Sequence, residues 1–419
     1  MRRRLIAAAV LVAAGIAGVL PAVADVAQPT VVTADPVDFT PHALDGTVRA
    51  IAVVGRTVVV GGTFTSVADE GTMRPPQRRP YLFAFDAKTG VVRGSFAPRV
   101  DGAVYALAAG PDNTVYVGGA FRTVNGASSR GLTRLSVSTG ARVRGFSAEI
   151  NWGDVRTLAV NGKRLYAGGP FSAINGVARA GLARLDGGTG AVDAGFDAKL
   201  TAKNMARVRV EDMALSPDGR RLVAVGALTH AGGQPRYQLA MLDVAGPKAV
   251  VANWHTDAFR SPCDQSLDTY LRGVDFAPDG SYFVTVTTGA LTGPGRMCDG
   301  AARFESAGAG AHKPTWVNQT GGNTLFSVSV TGVAVYVGGH QQWLDNPYGK
   351  KTKGKGAVDR PGIGAINPKT GKALPWNPTR SRGVGARAIV ATSYGLYVGS
   401  DTDKLGKEYH GRIGMFPLP

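Results

Sequence analysis

Hydrophobic and polar residues alternate along most of this chain in short runs that end at glycine. Residues 115–121 predict one β-strand that closes on a pair of glycines, and residues 132–136 predict the next strand after an Asn-Gly turn. The same phrase returns at residues 165–171 and 182–186. A self-similarity of this length indicates a repeat architecture, which decides the fold before any other feature is considered.

Seven such units can be indexed on the second glycine of each pair or on the residue that replaces it. These positions are Gly62, Gly119, Gly169, Gly226, Gly289, Gly339 and Ser400. Each unit holds alternating strands joined by turns such as residues 217–219, where proline sets φ and glycine takes the left-handed conformation. Four strands of this kind form one blade of a β-propeller, so the sequence predicts an all-β fold with seven blades.

The fourth strand of each unit predicts how the ring closes. Its aromatic residue occurs six times along the chain, at Phe96, Phe146, Phe196, Trp254, Trp316 and Trp376. The seventh copy stands near the N-terminus, where residues 39–41 and 45–48 repeat the pattern of residues 96–98 and 101–104. We therefore expect an N-terminal strand, within residues 36–44, to complete the last blade and remove the exposed sheet edges.

The first 24 residues predict a signal peptide. Arg2, Arg3 and Arg4 form a basic start, residues 5–20 are apolar, and Ala-Val-Ala at residues 22–24 offers a cleavage site. The apolar run is shorter than the roughly 20 residues of a membrane span, although an uncleaved anchor is the alternative. We expect residues 25–419 to form a single β-propeller domain that is secreted, extracellular and monomeric, with no membrane span after cleavage.

Composition and charge narrow the expected partners. The 58 glycines and 24 prolines fit a protein of short strands and tight turns, and the formal net charge is +17. A basic exported protein meets anionic wall polymers or acidic glycans sooner than it meets nucleic acid. We therefore expect an anionic cell-wall polymer, a glycan or a protein as partner and no nucleic acid. An ordinary solvated surface explains the same charge.

The repeated phrase also carries a resemblance. Val-Tyr-Val-Gly-Gly-x-Phe, followed by Asn-Gly, Leu-x-Arg-Leu and Thr-Gly, resembles the delta-60 repeat β-propellers of secreted actinobacterial proteins, whose neighbours include kelch-like and quinoprotein-like propellers. The likeness covers most of the chain after the signal peptide. It implies a propeller fold and no settled activity, since a fold alone does not give function.

The loop of unit six is the strongest candidate for a ligand site. In a four-stranded blade, the loops between strands two and three share one face with the links between blades. On that face the loop at residues 340–360 is the most unusual, because it combines aromatic rings with short polar side chains and a run of lysines. The candidate ligand-binding residues are His340, Trp343, Asp345, Asn346 and Tyr348. Trp343 and Tyr348 would also fit a structural role in fixing the loop to its neighbour.

Other candidate chemistry is sparse. Asp401 and Asp403 could join a Ca²⁺ site, which needs 6–8 oxygen ligands, but solvated turn residues explain them equally well. Tyr409 and His410 open the following strand and could act as an acid–base pair, although no motif fixes their geometry. The remaining histidines lack the spacing of metal ligands. We expect no cofactor and no resident metal.

The two cysteines predict one disulfide. Cys263 lies in the link that enters unit five, and Cys298 lies in the loop between strands two and three of that unit. A propeller places both segments on the same face, and an exported chain with two cysteines usually pairs them. The bridge should brace the unit whose repeat is weakest.

Two functions from different classes remain open on the sequence. The first is a non-catalytic extracellular propeller that binds a wall polymer, glycan or protein through its loop face. The second is a carbohydrate-active enzyme such as a polysaccharide lyase at the same face, with Tyr348 or His340 as base and lysines that neutralise a uronate.

Overall fold

The computed structural model describes residues 26–71, 75–261, 263–264, 266–290 and 293–419. Within these ranges every regular element is a strand and there is no helix, so the all-β prediction is confirmed. No helix of the described residues is therefore long and apolar enough to cross a membrane. The predicted signal peptide, residues 1–24, lies outside the described residues.

The strands are numbered in chain order. The first group is β1 His42–Ala43, β2 Val48–Val54, β3 Thr57–Gly62, β4 Ser66–Ala68, β5 Gln77–Arg78, β6 Leu82–Asp86, β7 Val104–Gly110, β8 Thr114–Gly119, β9 Thr123–Val124, β10 Ala127–Ser128, β11 Leu132–Ser136, β12 Thr157–Asn161 and β13 Arg164–Gly168. The second is β14 Ala173–Ile174, β15 Val177–Ala178, β16 Leu182–Asp186, β17 Arg209–Leu215, β18 Arg221–Ala227, β19 His230–Ala231, β20 Gln234–Pro235, β21 Leu239–Asp243, β22 Val250–Val251, β23 Trp254–His255, β24 Leu271–Phe276 and β25 Tyr282–Thr287. The third is β26 Gly300–Glu305, β27 Gly310–Ala311, β28 Trp316–Gln319, β29 Leu325–Val330, β30 Val335–Gly339, β31 Trp343–Leu344, β32 Val358–Asp359, β33 Ile363–Ile366, β34 Ala388–Thr392, β35 Gly395–Gly399, β36 Lys404–Leu405, β37 Glu408–Tyr409 and β38 Ile413–Pro417.

The main sheets each contain three or four antiparallel strands. Among the described residues they are β2-β3-β6, β7-β8-β11, β12-β13-β16, β17-β18-β21-β22, β24-β25-β26-β28, β29-β30-β33 and β34-β35-β38. In the three-stranded sheets the chain after the third strand adds single bridges, such as Phe85 with Val92 and Leu135 with Arg142. The first strands of successive sheets contact one another, and the last of them, β34, contacts β2.

The glycine pairs at the end of the second strands are explained by close packing. A side chain on Gly62 would collide with the carbonyl oxygen of Thr47, so this strand end must lie directly against the backbone that enters its own sheet. A side chain on Gly61 would collide with Val104, which begins the first strand of the following sheet. The second glycine of the pair is thus required for packing within its own sheet, and the first is required for packing against the next sheet.

The core lies between successive sheets and is anchored by the aromatic residues of the fourth-strand positions. Phe96 and Phe196 are fully buried, and the ring of Phe196 meets that of Tyr166 edge-on at a centroid distance of 5.6 Å. Trp376 packs in the same way against Tyr336 at 5.2 Å. Burial of one such ring stabilises the fold by about 1.5–3 kcal/mol, so the repeated aromatic contributes substantially to the stability.

The N-terminal segment lies against the last sheet. The amide of Thr33 donates to the carbonyl of Pro417 at 2.9 Å, and the amide of Val37 donates to the carbonyl of Met415 at the same distance. The indole nitrogen of Trp376 donates to the carbonyl of Thr33 at 2.7 Å. This segment therefore lies beside β38.

The predicted disulfide is present. Cys263 and Cys298 are bonded, with their Cα atoms 5.6 Å apart. Both are buried in a cluster that includes Trp254, Phe259 and Tyr270. The bridge ties the segment that enters the fifth sheet to the loop between its second and third strands, as the sequence predicts.

Candidate functional site

The predicted loop residues of unit six do not converge on one surface. His340 donates from Nδ1 to the carbonyl of Gly383 at 2.6 Å, since that carbonyl can only accept. Trp343 is half-buried in β31, where it pairs with Asp359, whereas Tyr348 is 66% exposed. The aromatic rings therefore occupy different environments.

Asp345 and Asn346 of the same loop are engaged in holding the backbone. Asp345 accepts from the side chain of Asn318 at 2.7 Å and from the amide of Ala373 at 3.0 Å. Asn346 is fully buried, and its side chain bonds to the carbonyl of Thr352 and to the amide of Gly354, both at 2.9 Å. These contacts indicate that both side chains hold the conformation of the loop.

Of the two aspartates considered for calcium, Asp403 is exposed and Asp401 is engaged in local contacts. Asp401 accepts from the amides of Val384 at 2.5 Å and Gly385 at 3.0 Å, and its carboxylate lies 3.5 Å from Arg380. Burial alone would raise the pKa of Asp401, but these donors hold it below its usual value. Within the part of the chain that the structure describes, no group of three or more His, Cys, Asp or Glu side chains is arranged to hold a metal ion.

A pocket that the sequence analysis did not identify lies where the first strands begin. Each of the seven main sheets contributes one side chain from the same position, near the start of its first strand. These side chains are Arg49, Tyr105, Arg156, Glu211, Arg272, Phe326 and Arg387, and the pocket has a volume of 480 Å³. We call it the mouth pocket. It lies at the end of the strands that carries the glycine pairs, which is the face on which the sequence places ligand binding.

The geometry of the first strands explains why these side chains converge. In five of the sheets the register between first and second strands shifts after the first residue, or after the second in the fourth sheet, which leaves one extra residue unpaired. The extra residue is Arg49, Tyr105, Glu211, Arg272 or Phe326. A β-bulge of this kind redirects a side chain at the end of a strand. Arg156 and Arg387 each precede their strand by one residue. Their backbone amides donate to the carbonyls of Gly168 and Gly399, respectively.

One side of the mouth pocket is electrically balanced. Arg156 pairs with Glu211 at 2.5 Å and with Asp154 at 2.9 Å, and Arg209 pairs with Glu211 at 2.6 Å. Burial alone would raise the pKa of Glu211, but the charges of Arg156 and Arg209 lower it. Glu211 is therefore ionised and committed to two arginines.

The other three arginines of the pocket, Arg49, Arg272 and Arg387, form no salt bridge within the described residues, although the charges of Glu211 and Asp299 reach Arg272. Arg387 stacks on the ring of Phe326, and Arg49 lies over the ring of Tyr105 at 5.2 Å. Arg272 donates only to backbone carbonyls, among them that of Leu271 at 2.9 Å. Burial, together with the neighbouring charges of Arg49 and Arg272, lowers the pKa of Arg387 to about 10.

The mutual repulsion of these arginines is a cost of folding that an anion would remove. The buried Nε of Arg49 has no hydrogen-bond partner among the described residues. Guanidinium groups bind carboxylate, sulfate or phosphate through paired hydrogen bonds, and the aromatic faces that support them leave their N–H edges available. The arrangement can thus bind an oxyanion that enters from solvent.

Below the arginines the first strands line a narrower, mostly apolar cavity of 290 Å³ that includes Ile51 and Leu107. Asp212 lies there, half-buried, and accepts from Thr157 and from the amide of Val274, both at 3.0 Å. Burial raises the pKa of Asp212 to about 6 despite these donors. Its bonds link neighbouring first strands, so its role is structural.

The comparisons with known proteins support the fold and give no activity. Residues 110–137 and 163–196 match a family described as a beta-propeller domain of unknown function (DUF5122). A crystal structure of the computationally designed Ika8 protein is similar over 92% of this chain and 100% of its own, with 11% identity and a TM-score of 0.51. No curated protein gives a significant match. The chain is thus similar to a β-propeller family, as the sequence predicts, and the likeness to Ika8 concerns the fold alone.

Proposed function

We propose that the protein is a seven-bladed β-propeller closed by its N-terminal segment. The main support is a hydrogen bond that recurs between sheets. The amide of Val48 donates to the carbonyl of Ser400 at 2.9 Å, and the equivalent amide of Val155 donates to Gly119 at 3.1 Å. The junction between the last and first sheets therefore has the geometry of an internal junction. The bonds of residues 33–37 to β38 support a fourth strand in the last blade.

We propose further that the protein is exported and binds, without catalysis, an oxyanion carried by an extracellular sugar-based polymer. The observation that carries the proposal is the group of Arg49, Arg272 and Arg387 in the mouth pocket, because the salt bridges of Asp154 and Glu211 go to Arg156 and Arg209 instead. A volume of 480 Å³ suits one charged sugar unit or one polyol phosphate. The buried disulfide supports export, because disulfides persist in oxidising compartments.

Binding is favoured over the lyase alternative by the position of the candidate bases. His340 is engaged with Gly383 outside the mouth pocket, and Tyr348 is exposed on its loop. The described residues that line the mouth pocket include no histidine. The proposed ligand chemistry is therefore recognition of charge by arginine, supported by the faces of Tyr105 and Phe326.

The test is calorimetric titration of the mature protein with oligogalacturonate and, separately, with a poly(glycerol phosphate) oligomer. These two probes distinguish a carboxylate from a phosphate source. Arg387→Ala should weaken binding of the preferred probe by about tenfold or more, since a charge-assisted hydrogen bond contributes about 1.5–3 kcal/mol. The matched control is Arg144→Ala, which removes an exposed arginine on the outer part of the second sheet.

Two results would overturn the proposal. One is the absence of binding to either probe at low salt. The other is binding that Arg387→Ala leaves unchanged, especially if Trp343→Ala or substitution of Lys350, Lys351, Lys353 and Lys355 abolishes it. That second result would assign recognition to the loop of unit six.

A further inference from the structure

A second cavity lies on the same face, between the disulfide-braced loop of the fifth sheet and the loop of the sixth. We call it the side pocket. It has a volume of 270 Å³, and the residues that line it include the carboxylates of Asp264 and Asp299, the basic side chains of His340, Lys351 and Arg382, and the amide of Asn323. Two of the residues that line it carry buried polar atoms with no hydrogen-bond partner among the described residues, one a donor and one an acceptor.

The donor belongs to Asn323, whose side-chain orientation is fixed by its neighbour. Arg382 donates from Nη2 to Oδ1 of Asn323 at 2.7 Å. A guanidinium has no acceptor, so the oxygen of the amide must face it and Nδ2 must point elsewhere. Asn323 is only 4% exposed, and its Nδ2 has no partner. An unpaired amide donor therefore lines the side pocket.

The acceptor belongs to Asp299, which is 1% exposed. Its Oδ2 is buried and has no partner among the described residues. Burial raises the pKa of Asp299 to about 7 against the effect of backbone donors and of Lys351 and Arg272. A buried carboxyl in this state can accept a hydrogen bond or, when protonated, donate one.

Thr320 holds the two groups in a fixed relation. Its amide and its hydroxyl both donate to the carbonyl of Asp299 at 2.9 Å. The amide of Asn323 donates to the same hydroxyl oxygen at 3.1 Å. The donor and the acceptor are therefore both anchored to one fully buried threonine, Asn323 through the turn at residues 320–323 and Asp299 through the neighbouring chain segment. Buried polar atoms left unpaired cost about 1–3 kcal/mol each, so a ligand that pairs with both gains affinity and selectivity.

The side pocket and the mouth pocket meet at the start of the sixth sheet, where Thr324 lines the first and Phe326 lines the second. The charge of Arg272 acts on the pKa of Asp299, and the charge of Asp299 acts in turn on the pKa of Arg272. Arg272 lines the mouth pocket, so one ligand of a few sugar units can reach both cavities.

We infer that the side pocket binds a neutral sugar unit, through a hydroxyl or acetamido group that pairs with Nδ2 of Asn323 and Oδ2 of Asp299. This inference rests on the proposed function, because the neutral unit belongs to the polymer whose charged unit occupies the mouth pocket. It specifies the ligand as a heteropolymer in which neutral and acidic units are linked, and it excludes a polymer of acidic units alone as the preferred ligand.

The test compares three ligands that carry the same two carboxylates. Digalacturonate has no neutral unit, one tetrasaccharide alternates glucuronate with glucose, and another alternates glucuronate with N-acetylglucosamine. The wild-type protein should bind one tetrasaccharide at least about tenfold more tightly than digalacturonate, and the preferred one identifies a hydroxyl or an acetamido source. Binding is measured by calorimetry at constant ionic strength.

Two isosteric variants test whether the preference for a tetrasaccharide arises in the side pocket. Asn323→Asp keeps the oxygen that Arg382 needs but replaces the free donor by a charged acceptor oxygen, whereas Asp299→Asn removes the carboxylate. Each should abolish the preference for the tetrasaccharide over digalacturonate, whereas Arg387→Ala should weaken binding of all three ligands. Asp359→Asn, in an exposed pair with Lys353, is the control for a lost or altered charge.

The outcomes separate the two proposals. Binding of all three ligands with equal affinity, sensitive to Arg387→Ala but not to the side-pocket variants, would overturn this inference alone and mean that water satisfies both atoms. Absence of any uronate binding would overturn the proposed function and this inference with it. If a variant fails to fold, the wild-type protein alone tests this inference: tighter binding of a tetrasaccharide supports it, and equal affinity for the three ligands overturns it.

Discussion

The guanidinium carbon of Arg387 lies 3.6 Å from the centroid of the Phe326 ring. Both residues come from the start of a first strand, in the sixth and seventh sheets, and both are half-buried. The ring supports one face of the guanidinium while its N–H edges remain able to bind a ligand. Phe326 thereby holds a cation at the mouth pocket without neutralising it.

Phe326 carries no charge, but it should contribute to anion binding because its ring supports Arg387. Phe326→Leu removes the ring and should weaken binding of an anionic oligosaccharide several-fold, because a desolvated cation–π contact is worth about 2 kcal/mol. Phe326→Tyr keeps the ring and should restore most of the affinity. Calorimetry on the three proteins checks this, and equal affinity of Phe326→Leu and wild type would contradict it.

The closing junction of the proposed ring can be tested with glycine. A side chain on Gly399 would collide with Val48 of the first sheet, just as one on Gly61 would collide with Val104 at an internal junction. If the ring is closed, Gly399→Ala and Gly61→Ala should each destabilise the protein by about 1–3 kcal/mol through overpacking.

Urea unfolding measures both variants, and Gly94→Ala is the control because nothing lies within 4 Å of the added methyl group. A loss of stability in Gly61→Ala but not in Gly399→Ala would show that the first and last sheets separate in solution.

The disulfide should stabilise the fifth sheet. The bond closes a segment with a sequence separation of 35, so replacing both Cys263 and Cys298 by alanine should cost roughly 3–4 kcal/mol in the chain-entropy account. A side chain on Gly289 would collide with Cys263, so Gly289→Ala should also destabilise the protein.

Thermal unfolding with and without reductant measures this contribution. Reductant should lower the midpoint of the wild type and leave that of the double alanine variant unchanged. A wild-type midpoint that is insensitive to complete reduction would contradict the prediction.

The repeat and the disulfide could be predicted from the sequence because both depend on local pattern. The strand alternation, the glycine pairs and the aromatic residue of each fourth strand recur at recognisable spacing. The pairing of Cys263 with Cys298 follows because the predicted blades place both segments on the same face. The residues of the proposed binding site could not be found in this way. The mouth pocket takes one residue near the start of the first strand of each sheet, and these seven residues, four of them arginines, are far apart in the sequence, so no local motif joins them.

One sequence signal could have revealed the mouth pocket. Arg49, Tyr105 and Arg272 each follow the first hydrophobic residue of their first strand, where inward alternation is broken by a bulge. Only alignment of the seven units at that position brings the four arginines together. The loop of unit six was prominent in the sequence because of its composition, yet Asp345 and Asn346 serve its backbone.

The buried carboxyl of Asp299 should make stability depend on pH. Its pKa is about 7 in the folded protein and near 3.8 in the unfolded chain, because burial disfavours the ionised form. Below pH 3.8 Asp299 is protonated in both the folded and the unfolded protein, so it does not lower the free energy of unfolding. As the pH rises from 4 to 7 the unfolded chain loses its proton first, so the folded state loses stability on the order of 4 kcal/mol, and the loss is complete above pH 7.

Asp299→Asn should remove this dependence. Urea unfolding at pH 4, 6 and 8 should show a stability difference between variant and wild type that shifts progressively in favour of the variant. The contribution of Asp212 is common to both proteins and cancels in the difference. Asp359→Asn, on the exposed loop of the sixth sheet, should show no comparable shift. A constant difference between Asp299→Asn and wild type from pH 4 to pH 8 would mean that Asp299 is ionised in the folded protein, and that it has a partner which compensates its burial.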